Sequence, residues 1–257
     1  MIPKIIHYCW LSNDPVPDNL NGYMKSWKRL LPDYEFIKWD FTRFDKDSSI
    51  WVSEAFDNKK YAFACDYIRL FALYNYGGIY MDMDIEVLKS FDSLLNNDYM
   101  IAKERPDQNW IEAGCFGVKK GSQFIKQCLE YYKDKHFINE NGIFEDTPLP
   151  RIMAKVYEDC NYDFNLLDWH TFTNKSYDTG EVSVNDKSFA IHHFAGSWKD
   201  SKVLEAENRA VTMRNKIPLI GRPIAFVYIK SFKSIEAIKK GGMKELSVRI
   251  HRFIKKS

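Results

Sequence analysis

Ala64-Cys-Asp-Tyr-Ile-Arg69, followed by Tyr76-Gly-Gly-Ile-Tyr-Met-Asp-Met-Asp84, is the stretch that decides the fold of this chain. Lys60 to Tyr76 is rich in Ala, Leu, Phe and Tyr and contains no breaker, which predicts a helix. Gly77-Gly78 ends it, because glycine readily takes the left-handed conformations that close helices. Apolar residues surround the helix on all sides, so it is expected to be buried. Ile79 to Met81 reads as a short strand with Asp82-Met83-Asp84 at its carboxyl end, and Ile85 to Leu88 resumes an extended run. Asp66 and Arg69, three residues apart, share one helix face. Asp82 and Asp84, two apart, point the same way if the strand is continuous. Two aligned carboxylates at a strand end form a hard-oxygen site for Mg²⁺ or Mn²⁺, ions that commonly complete their coordination with water and ligand phosphate. The carboxyl edge of an open sheet is also where ligands tend to bind.

Outward from this core the pattern is that of an α/β sheet. Ile2 to Trp10 reads as a buried first strand and Tyr34 to Trp39 as a second, with a helix over Leu20 to Leu31 stopped by Pro32. Strand, helix and strand at that spacing open an α/β fold. Tyr99 to Lys103, Cys115 to Lys119 and Phe189 to His193 are further strand candidates; Ser122 to Lys133 and Pro148 to Glu158 look helical. No internal repeat or low-complexity linker is visible.

The 257 residues suffice for a substantial core, and 45% hydrophobic with 28% charged residues excludes a disordered, collagenous or fibrous chain. Aromatic residues are abundant at 16%, which suits a large core or stacking on sugar and base rings. The net charge of +2 is unevenly distributed: residues 216–257 hold eleven Lys/Arg against two Asp/Glu, so the preceding body is acidic and the tail strongly basic. That compositional seam divides the chain into a catalytic domain, residues 1–216, and a basic amphipathic helical extension, residues 217–257. In the extension Leu246, Ile250, Phe253 and Ile254 form an apolar stripe at helical spacing. It either meets an anionic membrane surface or packs on the domain; nucleic acid is not an expected partner, since no nucleic-acid module accompanies the charge.

Cys9, Cys65, Cys115, Cys128 and Cys160 are scattered and read as reduced thiols. The N-terminus has no signal-peptide pattern, and no apolar run reaches the length of a membrane span. The expected location is cytoplasmic, with peripheral attachment at the inner face of the membrane as the further option. Phosphate-loop, dinucleotide-binding and serine-hydrolase motifs are all missing from the sequence.

The Asp66/Arg69/Gly77-Gly78/Tyr80/Asp82/Asp84 block, the opening Ile2-Pro-Lys-Ile-Ile-His7 with Trp10, the Trp39-Asp40 pair and the closing His192-His193-Phe-Ala-Gly-Ser-Trp198 together resemble glycosyltransferase family 32. These are transferases with a DXD sugar-binding region, similar also to the catalytic domains of the clostridial glucosylating toxins. The resemblance covers residues 2–90 well and resumes at His192. At Asp146-Thr-Pro148, where family members commonly read Thr-Gly-Pro, this sequence departs from the pattern. The resemblance implies a GT-A-like α/β fold with a mixed central sheet, and retaining transfer from a nucleotide-sugar. A UDP-sugar is the favoured donor, with GDP-mannose the alternative.

Carried over residue by residue, Asp82 contacts ribose and metal, and Asp84 ligates the metal. Asp66 and Arg69 hold donor-sugar hydroxyls, and His192 approaches the metal or diphosphate. Ser197 and Trp198 close over the leaving phosphate, Tyr80 belongs to the donor site, and Trp10 either borders the nucleobase or packs in the core. The chemistry agrees with this set, because a divalent ion on a diphosphate leaving group acts as Lewis acid and template, and fixed donors add to it. Glu112 reads as a solvated loop carboxylate, with contact to the acceptor or donor sugar as the alternative. The expected acceptor is a glycan or lipid-linked glycan of bacterial surface polysaccharide synthesis, such as a capsule. A metal-dependent phosphohydrolase and a noncatalytic nucleotide-sugar-binding module are the rival readings.

Overall fold

The computed structural model describes the whole chain apart from residues 161, 163, 178, 197–200, 218–220, 222 and 237–257. Seven strands and six helices are named in chain order: β1 (Ile5–Cys9), α1 (Asp18–Leu30), β2 (Glu35–Trp39), α2 (Ile50–Asp57), α3 (Tyr61–Tyr76), β3 (Gly78–Met81), β4 (Ile85–Val87), β5 (Tyr99–Met100), β6 (Cys115–Val118), α4 (Gln123–Glu130), α5 (Leu149–Asp159), β7 (Ala190–His192) and α6 (Ser201–Lys216). Every strand and helix expected within residues 1–216 is present, with ends shifted by a few residues. The sequence reading passed over α2 and α6.

Five strands form the main sheet in the order β2-β1-β3-β6-β5, and β4 and β7 form a separate antiparallel ribbon. β1 runs parallel to β2 and β3, whereas β3–β6 and β6–β5 are antiparallel. This is the mixed α/β sheet expected of a GT-A-like chain. The change from parallel to antiparallel pairing occurs at β3, which ends just before Asp82, so the acidic motif lies at the sheet's change of direction.

The chain separates into two compact units. The first comprises residues 1–176 and 182–195; the second comprises 177–181 and 196–257, so residue 216, where the composition changes, lies inside the second unit. In the first unit one apolar cluster gathers α2, α3, α4 and α5 around Trp51, Leu70, Phe124 and Phe137. Another gathers α1 and the ribbon around Trp27, Ile79, Ile85 and Phe91. The five cysteines are free thiols, as expected.

The glycine pair after α3 is required twice over. Gly77 has φ +67° and ψ −169°, a region open essentially to glycine alone rather than the left-handed helical cap expected from the sequence. Space is equally restrictive: a Cβ on Gly77 would meet the Lys120 backbone nitrogen at 2.5 Å, and one on Gly78 would meet the Ile5 carbonyl oxygen at 2.6 Å. The fully buried His7 locks this corner. One ring nitrogen, Nε2, donates to the Gly77 carbonyl at 2.8 Å, and the other, Nδ1, accepts from the Trp39 indole at 3.0 Å. The opening Ile-His segment, the Trp39 position and the glycine pair therefore belong to one hydrogen-bonded unit joining β1, β2 and α3.

A ring that donates through one nitrogen and accepts through the other must be neutral. Burial accordingly lowers the His7 pKa to about 4, against the partial support of the Gly77 carbonyl. The unfolded chain takes up the proton first as pH falls below about 6.5. This residue's contribution is thus complete above pH 6.5 and drains away as the pH drops to about 4, a loss of roughly 3 kcal/mol. In urea titrations between pH 7 and pH 4, a His7→Gln variant should be less stable than wild type at neutral pH and show a shallower acid slope. Parallel slopes would remove His7 as the source of acid sensitivity.

Candidate active site

Asp82 leaves the end of β3 with its N–H on the Gly114 carbonyl at 2.7 Å, and its own carbonyl accepts from Ile85 at 3.0 Å. Asp82 to Ile85 is therefore a tight turn, which corrects the expectation of a continuous strand. The two carboxylates converge because the chain folds back between sheet and ribbon, not because strand residues alternate. Ile85 pairs with His192, and the His193 N–H continues the ladder to the Asp84 carbonyl at 3.1 Å. This brings a third donor from a hundred residues away: single ligand atoms of Asp82, Asp84 and His192 all lie within 4.8 Å of one another. Two carboxylates and an imidazole at that separation fit a divalent ion.

Each donor is held by its surroundings. The Asp84 carboxylate accepts the Ala195 N–H at 2.7 Å and faces His192 Nε2 at 3.6 Å. Asp82 accepts the Tyr80 hydroxyl at 2.9 Å and lies 3.3 Å from the Arg69 guanidinium. Arg69 also reaches Asp66 at 3.3 Å and donates to the Ala113 carbonyl at 2.6 Å, with the Tyr80 ring 4.4 Å beneath it. Asp66 takes a further hydrogen bond from the backbone of Leu149, the first residue of α5. This places the divergent Asp146-Thr-Pro148 segment directly before the helix end that supports Asp66.

The electrostatics follow from crowding acids out of water. Burial lifts Asp66 to about 6, with Arg69 opposing and Asp82 reinforcing the rise. Burial also raises Asp82, again against Arg69. At His192, burial favours the neutral ring but is outweighed by Glu112 and Asp84, which push it up to about 10. That accumulated negative field is what a divalent cation would neutralise.

The sequence reading misplaced Glu112. It is 1% exposed rather than solvated, and it binds His192 Nδ1 at 3.0 Å, the Gly114 N–H at 2.6 Å and the Thr173 hydroxyl at 2.7 Å. It is thus the carboxylate behind the imidazole, fixing the ring so that Nε2 faces Asp84. Gly114 must lack a side chain for this contact: a Cβ there would lie 2.6 Å from His192 Cε1 and 2.9 Å from Glu112 Oε1. The Glu-x-Gly spacing in Trp110-Ile-Glu-Ala-Gly114 was the available signal, but only the fold brings it against His192.

Two donor-site expectations need restating. Tyr80 is 1% exposed, so its ring offers no face to a ligand; it acts through its hydroxyl on Asp82. Trp10 is half-buried just beyond β1, with its indole N–H on the Asp14 carbonyl at 2.8 Å and part of its ring against the core. Both alternatives for Trp10 thus remain represented, a packed side and an accessible one. Ser197 and Trp198 lie outside the described residues, as does the Leu246/Ile250/Phe253/Ile254 stripe.

Residues 17–101 match the family model for the glycosyltransferase sugar-binding region containing a DXD motif. Among curated relatives, inositol phosphoceramide mannosyltransferase 3 of Schizosaccharomyces pombe is 34% identical over 132 residues, 50% of this chain and 36% of the relative. Mannosyl phosphorylinositol ceramide synthase SUR1 of Saccharomyces cerevisiae is 34% identical over 110 residues, 41% of this chain and 28% of the relative. The chain thus spans about a third of the length of these two relatives. Of solved structures, the PaToxG glycosyltransferase aligns over 62% of this chain and 70% of its own at 20% identity, with a TM-score of 0.48.

Removing the charge behind the imidazole without changing its shape tests the support for His192. Glu112→Gln should weaken Mn²⁺ binding, read by titration calorimetry, by about 10- to 100-fold. A dissociation constant within twofold of wild type would show that His192 does not depend on Glu112.

Proposed function

We propose that the protein is a metal-dependent, retaining hexosyltransferase that moves a sugar from a nucleotide-sugar to a hydroxyl of a glycan or lipid-linked acceptor. The convergence of Asp82, Asp84 and His192 beside the buried Asp66–Arg69 pair carries this reading. The first three would hold Mn²⁺ or Mg²⁺ against the donor diphosphate. When bound, the ion supplies Lewis-acid stabilisation of the departing nucleoside diphosphate. The chain's own groups do the rest: Asp66 and Arg69 present an acceptor and a donor to sugar hydroxyls, Glu112 fixes the imidazole, and Tyr80 fixes the Asp82 carboxylate. Retention is inherited from the family resemblance.

The names of the curated relatives bear on the finer points. They describe mannosyl transfer, and the two described above act on inositol-phosphoceramide acceptors rather than bacterial polysaccharides. A mannosyl donor such as GDP-mannose therefore stands beside the UDP-sugars favoured by sequence, and a lipid-linked acceptor is preferred to a capsular glycan. Among the described residues no helix is long and apolar enough to cross a membrane.

A panel of UDP-hexoses and GDP-mannose, each with Mn²⁺, should yield one donor that raises the melting temperature and is slowly hydrolysed. Asp84→Asn should reduce that hydrolysis by about a hundredfold or more, the scale of a lost metal contribution of several kcal/mol. Failure of every nucleotide-sugar to shift the melting temperature, with Asp84→Asn melting like wild type, would overturn the assignment.

A further inference from the structure

The segment between β5 and β6 carries a pair of side chains that the ion site does not use. Within it Lys103 and Ile111 pair antiparallel. The Glu104 N–H donates to the Trp110 carbonyl at 2.8 Å, and the Glu112 N–H donates to the Ala102 carbonyl at 2.9 Å. Residues opposite one another on antiparallel strands project to the same face, and so do residues two apart along each strand. Ala102, Glu104, Trp110 and Glu112 therefore share one face. It is the face on which Glu112 holds His192 at 3.0 Å.

Packing accounts for neither Glu104 nor Trp110. Glu104 is half-buried, and its Oε2 is shielded from solvent without a hydrogen-bond partner. Burial and the Glu112 carboxylate raise its pKa to about 7, with His192 and Arg105 opposing. A carboxyl oxygen withdrawn from water and given no donor costs the fold stability, so its presence calls for a reason outside packing. Ion binding is not that reason, because the groups that converge on the ion are Asp82, Asp84 and His192. Trp110 is half-buried as well, yet among the described residues its ring belongs to neither apolar cluster.

An indole ring beside a carboxyl group has the chemistry that recognises a sugar: the C–H face of a pyranose stacks on the ring, and a hydroxyl bonds the carboxyl oxygen. Position selects which sugar. The Asp66–Arg69 pair, assigned to the donor, reaches the ion site from the side of Asp82. The charges that act on Glu104 are instead those of Glu112, His192 and Arg105. We propose that Glu104 and Trp110 form the subsite for the acceptor hexose, its ring stacked on Trp110 and one hydroxyl bonded to Glu104. This rests on the transferase reading above and deepens it by giving the acceptor a place.

Saturation-transfer NMR on the full chain with Mn²⁺ and the methyl glycosides of glucose, galactose and mannose tests this, with no nucleotide-sugar present. At least one glycoside should bind wild type. Trp110→Ala and Glu104→Gln should each weaken it by about tenfold, whereas Trp110→Phe, which keeps a ring, should retain most of the affinity. Glu104→Gln should also melt no lower than wild type, because it removes a partnerless charge; a residue with a purely structural role would melt lower on substitution. The subsite is overturned if neither Trp110→Ala nor Glu104→Gln weakens glycoside binding, or if both weaken nucleotide-sugar binding and leave the glycoside untouched. If a nucleotide-sugar raises the melting temperature and no glycoside binds, the subsite alone falls. If no nucleotide-sugar does so, the transferase reading falls, and the acceptor role falls with it.

Discussion

The guanidinium of Arg69 is the constraint on which the rest of this molecule depends. A cation withdrawn from water must be enclosed by charge and by hydrogen-bond acceptors, and here the enclosure draws on three parts of the fold. Asp66 comes from the same turn of α3, Asp82 from the end of β3, and the Ala113 carbonyl from the approach to β6. The Tyr80 ring closes the underside. None of these can shift without exposing a buried charge, so the helix, the central strand and its antiparallel neighbour are fixed together at the sheet edge where the ligand groups emerge.

Charge balance explains why such a site would accept a cation. Asp66, Asp82, Asp84 and Glu112 are four carboxylates answered by one guanidinium and one imidazole. Burial lifts Asp66 to about 6 with Asp82 reinforcing the rise, and at His192 Glu112 and Asp84 outweigh burial and lift the imidazole to about 10. The fold tolerates this because rigid groups hold each acid: a helix end at Asp66, backbone N–H groups at Asp84 and Glu112, and a phenol at Asp82. Donors fixed before the ligand arrives do not have to be reorganised when charge develops.

Much of this was legible in the sequence. The unbroken helix, the glycine pair and the two aspartates define α3, β3 and the motif through local preferences alone, and the His192 segment was readable by its resemblance. Local rules could not supply the turn at Asp82 to Ile85, because it is imposed by the Asp82–Gly114 hydrogen bond and by pairing of the ribbon with a strand a hundred residues later. Nor could they tell a buried Glu112 from a solvated one, since its partners are distant in sequence. Tyr80 misled for the same reason: an aromatic beside a binding motif reads as a ligand platform until packing shows its ring covered. α6 escaped notice because its polar sequence gives it little amphipathic signal.

The β4–β7 ribbon carries a consequence for how the site comes apart. Asp84 and His192 are joined across it by backbone hydrogen bonds, whereas Asp82 is tied to the main sheet through Gly114. Two of the three candidate ligands therefore share the fate of a ribbon only three residues long on each side, and the third directly follows β3, a strand paired on both sides. Opening that ribbon removes a carboxylate and an imidazole in a single event while leaving the main sheet intact. Bringing the three candidate ligands together is thus coupled to a local folding step smaller than unfolding of the domain.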